Sequence, residues 1–457
     1  MKLHKLTGMA LIGIFAPAIS VCEVAKTISY AEHGALKMLY DNRMYPQAVE
    51  HNGTIYLVWR GEKGMPYIRT YMPATGTFSD PVMLLEGRTA NINAKRYASD
   101  HHYSPVVWLD NQAYIHILIG CHNNAGIHLI SEKPEDITRW RQGTGISKIM
   151  SYPKIQRIYD NKTLVYFRYT GHLGFWTYKI SADNGKTWTG PAVPPVDLNS
   201  EPQDGYKAAD AGSYHTIRVS QDGRTLHVGF IWKVENPVPN TRYHRTLGDH
   251  TQRYNLYYIK IDLPTGKVYN YDGKEMKTPI NKREADRDCI VWDTDERVAA
   301  VGPSICLDKN DEPYFVLPVS DETPYRCWFY FVRHVGGGWK HTAIARTSHP
   351  FNSCYLTRKN GRFHAYLITS DGENVLDDES EKNMDSYGWG DRVEEWAADT
   401  TGDKWTLTAD LSPVKGMKYQ NVQPVWQDMK STRTDMILFY GWRDTNGPGT
   451  AFMVKTP

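Results

Sequence analysis

Histidine, tyrosine and arginine recur at the two edges of a repeated sequence unit, and these are the residue types that can do chemistry here. The unit starts carry one group of them: Tyr45, His102, Tyr103, Tyr152, Tyr214, His215, His349 and Tyr419. The unit ends carry a second group: Arg60, His122, Arg168, His172 and Arg443. Imidazole and phenol groups placed around one bound sugar are suited to proton transfer. Tyrosine at a strand start is also common in packing, so the convergence of many such residues carries the prediction.

The repeated unit that positions them is a hairpin: an apolar strand, a turn rich in Asn, Asp and Gly, and an aromatic second strand. Seven copies begin at Tyr45, Tyr103, Tyr152, Tyr214, Val301, Phe351 and Asn421. Most gaps between copies hold two further strands. Four strands per repeat and seven repeats predict an all-β fold, a seven-bladed β-propeller with four-stranded antiparallel blades. The starts of the first strands and the ends of the second strands then meet on one face.

An Asp box supports the same fold. Residues 181–188 read SADNGKTW, which matches the pattern SxDxGxTW, and weaker versions end at Trp339 and Trp405. In this motif Asp and Gly form a tight turn between outer strands, and Trp packs between blades. The motif is structural, so it predicts a propeller with sialidase-like repeats and says little about catalysis.

The N-terminus has the pattern of an export signal. Lys2 and Lys5 precede an apolar run, and small residues allow cleavage after Ser20. We therefore expect a signal peptide over residues 1–20 and one propeller domain over 21–457, in a secreted or periplasmic protein. Lipid anchoring at Cys22 is less favoured, because Val21 fits a lipobox poorly. No later segment is long and apolar enough to predict a membrane span.

Charge and cysteine content narrow the function classes. The chain has 457 residues and a formal net charge of +2, and the predicted signal contributes two of its lysines. A mature charge near zero argues against a general nucleic-acid binder, although a local basic groove for an acidic ligand remains compatible with it. The six cysteines are sparse and lack CxxC spacing, so we expect mostly buried thiols.

Two other kinds of site were considered from the sequence, a pair of hydrolase carboxylates and a structural zinc site. A glycoside hydrolase needs two carboxylates at a defined separation, and no acidic residue is prominent at the hairpin starts. A structural Zn²⁺ would stabilise the long insertion between residues 236 and 296. Its candidate ligands lie in or beside that insertion: His244, His250, Cys289 and Cys306.

The single Asp box, the seven hairpins and the stretches HHYSPVVW, IGCHNN and SYPKIQ…FRYTG resemble the propeller-type ulvan lyases, bacterial polysaccharide lyases with BNR repeats. The resemblance covers most of the chain beyond the signal and is most specific between about Asp100 and His215. It implies cleavage of ulvan, an acidic sulfated polymer of rhamnose and uronic acids, by β-elimination next to a uronic acid. That chemistry requires no cofactor.

The resemblance also implies site residues. The family pattern of two histidines, then a tyrosine and an arginine, then another tyrosine matches His102, His122, Tyr152, Arg168 and Tyr214, with Tyr206 as second choice for the last. Arg168 and one histidine would neutralise the uronate, while Tyr152 and the other histidine, in first place His102, would move protons. Further substrate contacts are expected from Tyr103, His172, Tyr206, Lys207, Arg242 and Arg245.

Three alternatives stay open at this point. A lyase acting on another uronate polymer would use the same residue types. A sialidase-like hydrolase also has Asp boxes, but it needs an Arg-Ile-Pro motif that this sequence lacks. A non-catalytic carbohydrate-binding propeller would share the fold, and the clustered His and Tyr residues argue against it.

Overall fold

A computed structural model describes residues 27–31, 38–87, 93–171, 174–200, 211–234, 253–295, 297–321, 326–371, 388–443 and 448–456. Within these ranges the chain is built almost entirely of β-strands, thirty in all, with two short α-helices. The helices are α1 (Ala94–Ser99) and α2 (Lys282–Asp288). Neither helix, nor any other described one, is long and apolar enough to cross a bilayer.

Thirty strands follow one another along the described parts of the chain. The first ten are β1 (Thr27–Ala31), β2 (Ala48–His51), β3 (Thr54–Arg60), β4 (Pro66–Met72), β5 (Thr77–Phe78), β6 (Val82–Met83), β7 (Val106–Leu109), β8 (Ile115–Ile119), β9 (Ile127–Ser131) and β10 (Trp140–Gln142). The next ten are β11 (Ser151–Arg157), β12 (Thr163–Arg168), β13 (Trp176–Ser181), β14 (Ala211–Val219), β15 (Thr225–Val234), β16 (Arg253–Asp262), β17 (Val268–Tyr269), β18 (Glu275–Met276), β19 (Ile290–Trp292) and β20 (Ser304–Leu307). The last ten are β21 (Pro313–Ser320), β22 (Cys327–Val335), β23 (Gly338–Thr347), β24 (Cys354–Lys359), β25 (Arg362–Thr369), β26 (Arg392–Ala398), β27 (Trp405–Asp410), β28 (Lys418–Gln427), β29 (Ser431–Trp442) and β30 (Thr450–Lys455).

Six sheets contain the described strands, and five of them are purely antiparallel. These five are β7–β10, β11–β13, β14–β19, β20–β23 and β24–β27. The sixth sheet is mixed and has nine strands: an antiparallel group β2–β6 and an antiparallel group β28–β30 with β1, joined by one parallel pairing of β2 with β28. The predicted all-β fold of antiparallel sheets is therefore confirmed.

Each of the seven predicted hairpins is an antiparallel pair. These pairs are β2–β3, β7–β8, β11–β12, β14–β15, β20–β21, β24–β25 and β28–β29. Their strands are largely buried. Every residue of β7, β8 and β12 is buried, as is typical of strands that are covered on both faces. Outer strands are more exposed, as in β27, where Thr406, Leu407 and Thr408 face solvent.

The Asp box forms the predicted tight turn directly after β13. The Asp183 carboxylate accepts hydrogen bonds from the Thr187 N–H at 2.9 Å and from its hydroxyl at 2.7 Å. Gly185 has φ +79°, a conformation in which glycine is unstrained. The Trp188 indole N–H donates to the Gly185 carbonyl, and Trp405 makes the same bond to Gly402. The weaker motif at Trp405 therefore uses the same turn chemistry.

Candidate active site

Asp100 lies at the centre of the site and holds two histidines. Its Oδ1 is 2.8 Å from Nδ1 of His102, and its Oδ2 is 2.8 Å from Nδ1 of His122. An ionised carboxylate only accepts hydrogen bonds, so each Nδ1 carries its hydrogen and each Nε2 presents a lone pair. One carboxylate thus fixes the tautomer and the orientation of both rings, whose centroids are 4.2 Å apart.

Short local elements place these three residues. Asp100 ends α1 and caps a 3₁₀ turn, His101–Tyr103, by accepting the His102 N–H at 3.0 Å. His122 follows β8, and its carbonyl accepts from the side chains of Arg96 at 3.1 Å and Asn124 at 2.9 Å. The two histidines therefore come from the two strand edges that the sequence predicted to meet.

Tyr152 lies beside the histidine pair at a backbone irregularity. The register of β11 against β12 breaks between Ser151 and Lys154, and Tyr152 has φ +57°. A positive φ at a bulky residue costs conformational energy and is found mostly at functional sites. The bulge puts the Tyr152 ring 5.4 Å from His102 and 5.7 Å from His122, measured between ring centroids.

Arg168 supplies an unpaired positive charge. It ends β12 opposite Ser151, and its Cζ lies 4.7 Å from the centre of the Tyr152 ring. All three guanidinium nitrogens are buried, and none has a hydrogen-bond partner among the described residues. Buried donors without partners are costly, which makes this guanidinium a binding group for an anionic ligand.

Asp41 and Arg43 belong to the site although the sequence analysis did not single them out. The Asp41 carboxylate accepts from Arg43 Nε at 2.8 Å and lies 3.9 Å from Nε2 of His102. Arg43 Nη1 is 3.5 Å from the Tyr152 hydroxyl, and its Cζ lies 4.7 Å from the centre of that ring. The only signal in the sequence is a charged pair just before the first hairpin start.

Asp100 was also missed, for a related reason. A glycoside hydrolase would need acidic residues as a pair of carboxylates at the hairpin starts, whereas Asp100 contacts two histidines. Its position two residues before His102 was the available signal, because Asp often accepts a backbone N–H two residues onward.

The environment separates the pKa values of the two tyrosines. Burial raises the pKa of Tyr152 well above its ordinary value, so its phenol stays protonated. Burial acts in the same direction on Tyr214, but four surrounding cations outweigh it and hold the Tyr214 pKa well below its ordinary value. These cations are Lys233, Arg43, Arg253 and Arg168. A pair of like groups with oppositely shifted pKa values is typical of acid–base sites.

The pKa values of His102 and of Asp100 are shifted as well. Burial and then the Arg43 charge lower the pKa of His102 to about 3, so the ring is neutral near pH 7. Burial opposes ionisation of Asp100, but the hydrogen bonds from His102 and His122 hold its pKa well below the ordinary range. A neutral imidazole whose Nδ1–H is held by an ionised carboxylate can accept a proton at Nε2.

Exposure shows which members of the site a large substrate reaches first. The His102 and His122 side chains are 12% and 14% exposed, whereas Tyr152 and Arg168 are fully buried. The histidines are therefore the more accessible members of the site.

The structure brings together the five residues predicted as catalytic, including Tyr214, whose ring is 5.7 Å from that of Tyr152. Tyr103 is buried, and its hydroxyl accepts from Asn124, so it supports the segment that carries His122. Several predicted residues lie outside the described part of the chain: His172, Tyr206, Lys207, Arg242, Arg245, His244 and His250, together with residues 1–20 and Cys22.

Metal-binding geometry occurs only within this same site, in the part of the chain that the structure describes. Two overlapping sets bring candidate ligand atoms within 4.8 Å of one another: Asp41, His101 and His102, and Asp100, His102 and His122. Cys289 and Cys306 belong to neither set; both are buried thiols, one directly after α2 and one in β20. The zinc site suggested by the sequence stays a prediction.

The chain is similar in sequence to proteins named ulvan lyase. It is 25% identical over 293 residues to an ulvan lyase of Alteromonas sp. (strain LOR), which is 60% of this chain and 58% of that protein. It is 26% identical over 294 residues to ulvan lyase PL25 of Pseudoalteromonas sp. (strain PLSV), covering 60% and 57%. The matched region thus spans less than two thirds of these relatives.

A solved PL25 ulvan lyase bound to -[GlcA(1-4)Rha3S]- has the same fold. It superposes with a TM-score of 0.74 at 18% identity, covering 94% of this chain and 96% of that one. The family described as BNR repeat-containing matches residues 83–347, which is more than half of the sequence. The chain therefore belongs to the BNR repeat-containing family.

Proposed function

We propose that this protein is an ulvan lyase that breaks the polymer by β-elimination at uronic acid residues. The observation that carries the proposal is the convergence of the Asp100 histidine pair with Tyr152, Tyr214 and the unpaired Arg168 guanidinium. Relatives named ulvan lyase support the choice of polymer. An acidic sulfated polysaccharide is then the binding partner, and no cofactor is needed.

Charge neutralisation is the first requirement of the reaction. The C5 proton of a uronate becomes removable only when the neighbouring carboxylate is neutralised by cations or donors. Arg168 is suited to this, because a guanidinium offers two parallel N–H donors to a carboxylate and its nitrogens are unpartnered. A uronate there would also restore the hydrogen bonds that the buried guanidinium lacks.

His102 is the group that we assign to removal of the C5 proton. Its Nε2 has a lone pair, and its side chain is 12% exposed. The pKa of about 3 belongs to the ring without substrate. A bound uronate places a negative charge nearby and raises that pKa, which makes the imidazole a stronger base.

Tyr152 then protonates the departing O4 oxygen. Its phenol keeps its proton because its pKa is well above the ordinary value. Removal of the C5 proton by His102, cleavage of the C4–O4 bond and transfer of the phenol proton to O4 leave a C4=C5 double bond in the product. Tyr214 and Arg43 balance the charges around the Tyr152 ring.

The same proposal includes a closed ring of seven blades. The mixed nine-stranded sheet divides at the parallel pairing of β2 with β28 into two antiparallel groups, and these make seven with the five other sheets. In one group β1 pairs with β30, so strands from distant ends of the chain complete a single blade. Closure of this kind removes exposed sheet edges. Export to the outside of the cell follows from the nature of the polymer.

The test is to incubate the purified protein with ulvan and follow ultraviolet absorbance, which rises as unsaturated uronate forms. Products without that absorbance would contradict the lyase proposal. His102→Ala and Tyr152→Phe should each lose most activity, while the matched controls His51→Ala and Tyr159→Phe, away from the site, should keep it. Full activity in both site variants would refute the residue assignment.

A panel of uronate polymers separates ulvan from a related substrate. Faster absorbance change on another polymer would move the proposal to that polymer while leaving the chemistry intact. Release of free sialic acid, or binding without turnover, would instead favour the hydrolase or the binding protein.

A further inference from the structure

The sheet β11–β13 has three strands among the described residues, and its outer edge borders a groove of about 470 Å³. The segment after the Asp box returns along β13, and among the described residues it makes backbone bridges to it only near its ends, at Trp176 with Val196 and at Ile180 with Thr189. Between these contacts the sequence is Gly190-Pro-Ala-Val-Pro-Pro195. Proline has no N–H to donate to a strand, so this segment cannot complete the sheet and the groove stays open.

Aromatic rings and lysines form the walls of this groove. Tyr169 and Phe175 are half-buried and stacked, with ring centroids 5.1 Å apart. Lys148 and Lys179 also line it, and none of the described lining residues is acidic. Rings that keep an apolar surface at the wall can pack against the C–H faces of sugars, and ammonium groups attract sulfate or carboxylate.

The groove begins next to the candidate active site along the chain. Tyr169 directly follows Arg168, whose guanidinium belongs to that site. Successive side chains of a strand point to opposite faces, so the end of β12 presents Arg168 on one face and the groove residues Phe167 and Tyr169 on the other. The groove and the Arg168 guanidinium are therefore one residue apart along the chain, on the two faces of one strand end.

We propose that this groove, lined by Lys148, Tyr169, Phe175 and Lys179, is a second binding site for the polysaccharide, one that holds sulfated or uronic units away from the bond that is cleaved. The inference rests on the proposed function for the identity of the polymer. The charge of the groove selects an anionic chain, and its rings favour a carbohydrate over other polyanions. Linking a second site to the first raises the affinity for long chains without changing the chemical step.

The experiment compares two double variants with a control. The variants are Tyr169→Ala with Phe175→Ala, and Lys148→Ala with Lys179→Ala. The control is Lys186→Ala, an exposed lysine on the Asp-box turn that follows β13. For each protein, kcat and KM are measured on polymeric ulvan and on the shortest ulvan oligosaccharide that the wild type cleaves, and retardation is measured in native gels containing ulvan.

Each double variant should raise KM on the polymer about tenfold and keep kcat, because only avidity is lost. Values on the short oligosaccharide should match the wild type, and gel retardation should weaken. The lysine variant should lose its defect at high salt, since screening already removes that attraction. The lysines are at the surface, so this variant tests the groove even if the aromatic one fails to fold.

An equal loss on polymer and oligosaccharide, or no loss on the polymer in either folded variant, would overturn the proposal. So would a dimer of the wild type that dissociates in the aromatic variant, because the groove would then bind a second copy of the chain. If the wild type forms no unsaturated product from ulvan, the proposed function fails, and the gel comparison with the control still tests the groove.

Discussion

The sheet β7–β10 and the segments around it contain two clusters of one aspartate and two histidines, and the clusters use the same groups in opposite ways. In the first, Asp100 stands between His102 and His122 and holds Nδ1 of each. In the second, the residues form a line: Asp110 is 3.3 Å from His116 Nε2, and His116 Nδ1 is 3.0 Å from His128 Nε2. His128 Nδ1 then donates to the Thr144 carbonyl at 2.7 Å.

The difference lies in how the ring nitrogens are used. Every ring nitrogen of His116 and His128 has a partner, and both rings stack against Trp108 at centroid distances of 5.0 and 5.4 Å. A Cβ on Gly185 of the Asp box would lie 3.0 Å from His116, so this cluster also supports the turn of the next sheet. The branched arrangement fixes both of its rings through Nδ1, whereas the linear one uses both nitrogens of each ring within the cluster.

Replacing Asp100 with Asn in the branched cluster should have the largest effect on activity. An amide can accept from one histidine but must donate to the other, which moves the hydrogen of that ring to Nε2. We expect kcat/KM to fall about 10³-fold, the scale of losing an orienting carboxylate. The initial rate of absorbance change on ulvan measures this, and a rate close to that of the wild type would show that Asp100 does not set the tautomer.

Arg168→Met should lower activity by about 10²- to 10³-fold, because the uronate loses its neutralising charge. Stability should move in the other direction. An apolar side chain replaces a buried guanidinium without hydrogen-bond partners, so the free energy of unfolding should stay constant or increase by about 1–3 kcal/mol. Kinetics and denaturant unfolding are run on the same sample. A clear loss of stability would mean that Arg168 has a structural role instead.

Asp110→Asn, in the linear cluster, should lower stability and leave activity nearly unchanged, the opposite of what Arg168→Met should do. The amide replaces the carboxylate opposite His116, so this bond loses its charge, and we expect the free energy of unfolding to fall by about 1 kcal/mol. Activity per folded molecule should remain within about twofold, because no ring nitrogen of this cluster faces the site. Urea unfolding and initial rates are compared with those of Asp100→Asn. A large loss of kcat in the folded Asp110 variant would remove the distinction between the clusters.

Arg43→Gln should have the smallest effect, a shift of the acid limb of the pH profile. The Arg43 charge lowers the pKa of His102, which is about 3, and Asp41 raises it. Removing the cation leaves Asp41 unopposed, so the pKa must rise. Because the base works only when unprotonated, the pH at which kcat/KM is half-lost should increase by about one unit. A limb that stays in place, or moves to lower pH, would exclude His102 as the group that it reports.

The hairpins were predictable because their signals are local. Alternating apolar residues and turn chemistry at Asn52-Gly53 or Asn360-Gly361 depend on neighbours in the chain. The roles of Asp100 and Asp110 were not predictable in this way. Each precedes a histidine by a few residues, and only the packing of β7–β10 shows which histidines each carboxylate reaches. The Asp41–Arg43 pair was not predicted for the same reason. Arg43 contacts Tyr152, which lies more than 100 positions later in the sequence.

By itself, the sequence determined the all-β fold, the seven hairpins, the Asp-box turn and the set of residues that could carry the chemistry, because periodicity and turn preference act over a few residues. Only the tertiary structure decided which histidines a carboxylate fixes through Nδ1 and which arginine lacks a hydrogen-bond partner among the described residues. It also decided which tyrosine holds its proton. Those properties depend on burial and on charges brought together from distant strands, and no local pattern encodes them.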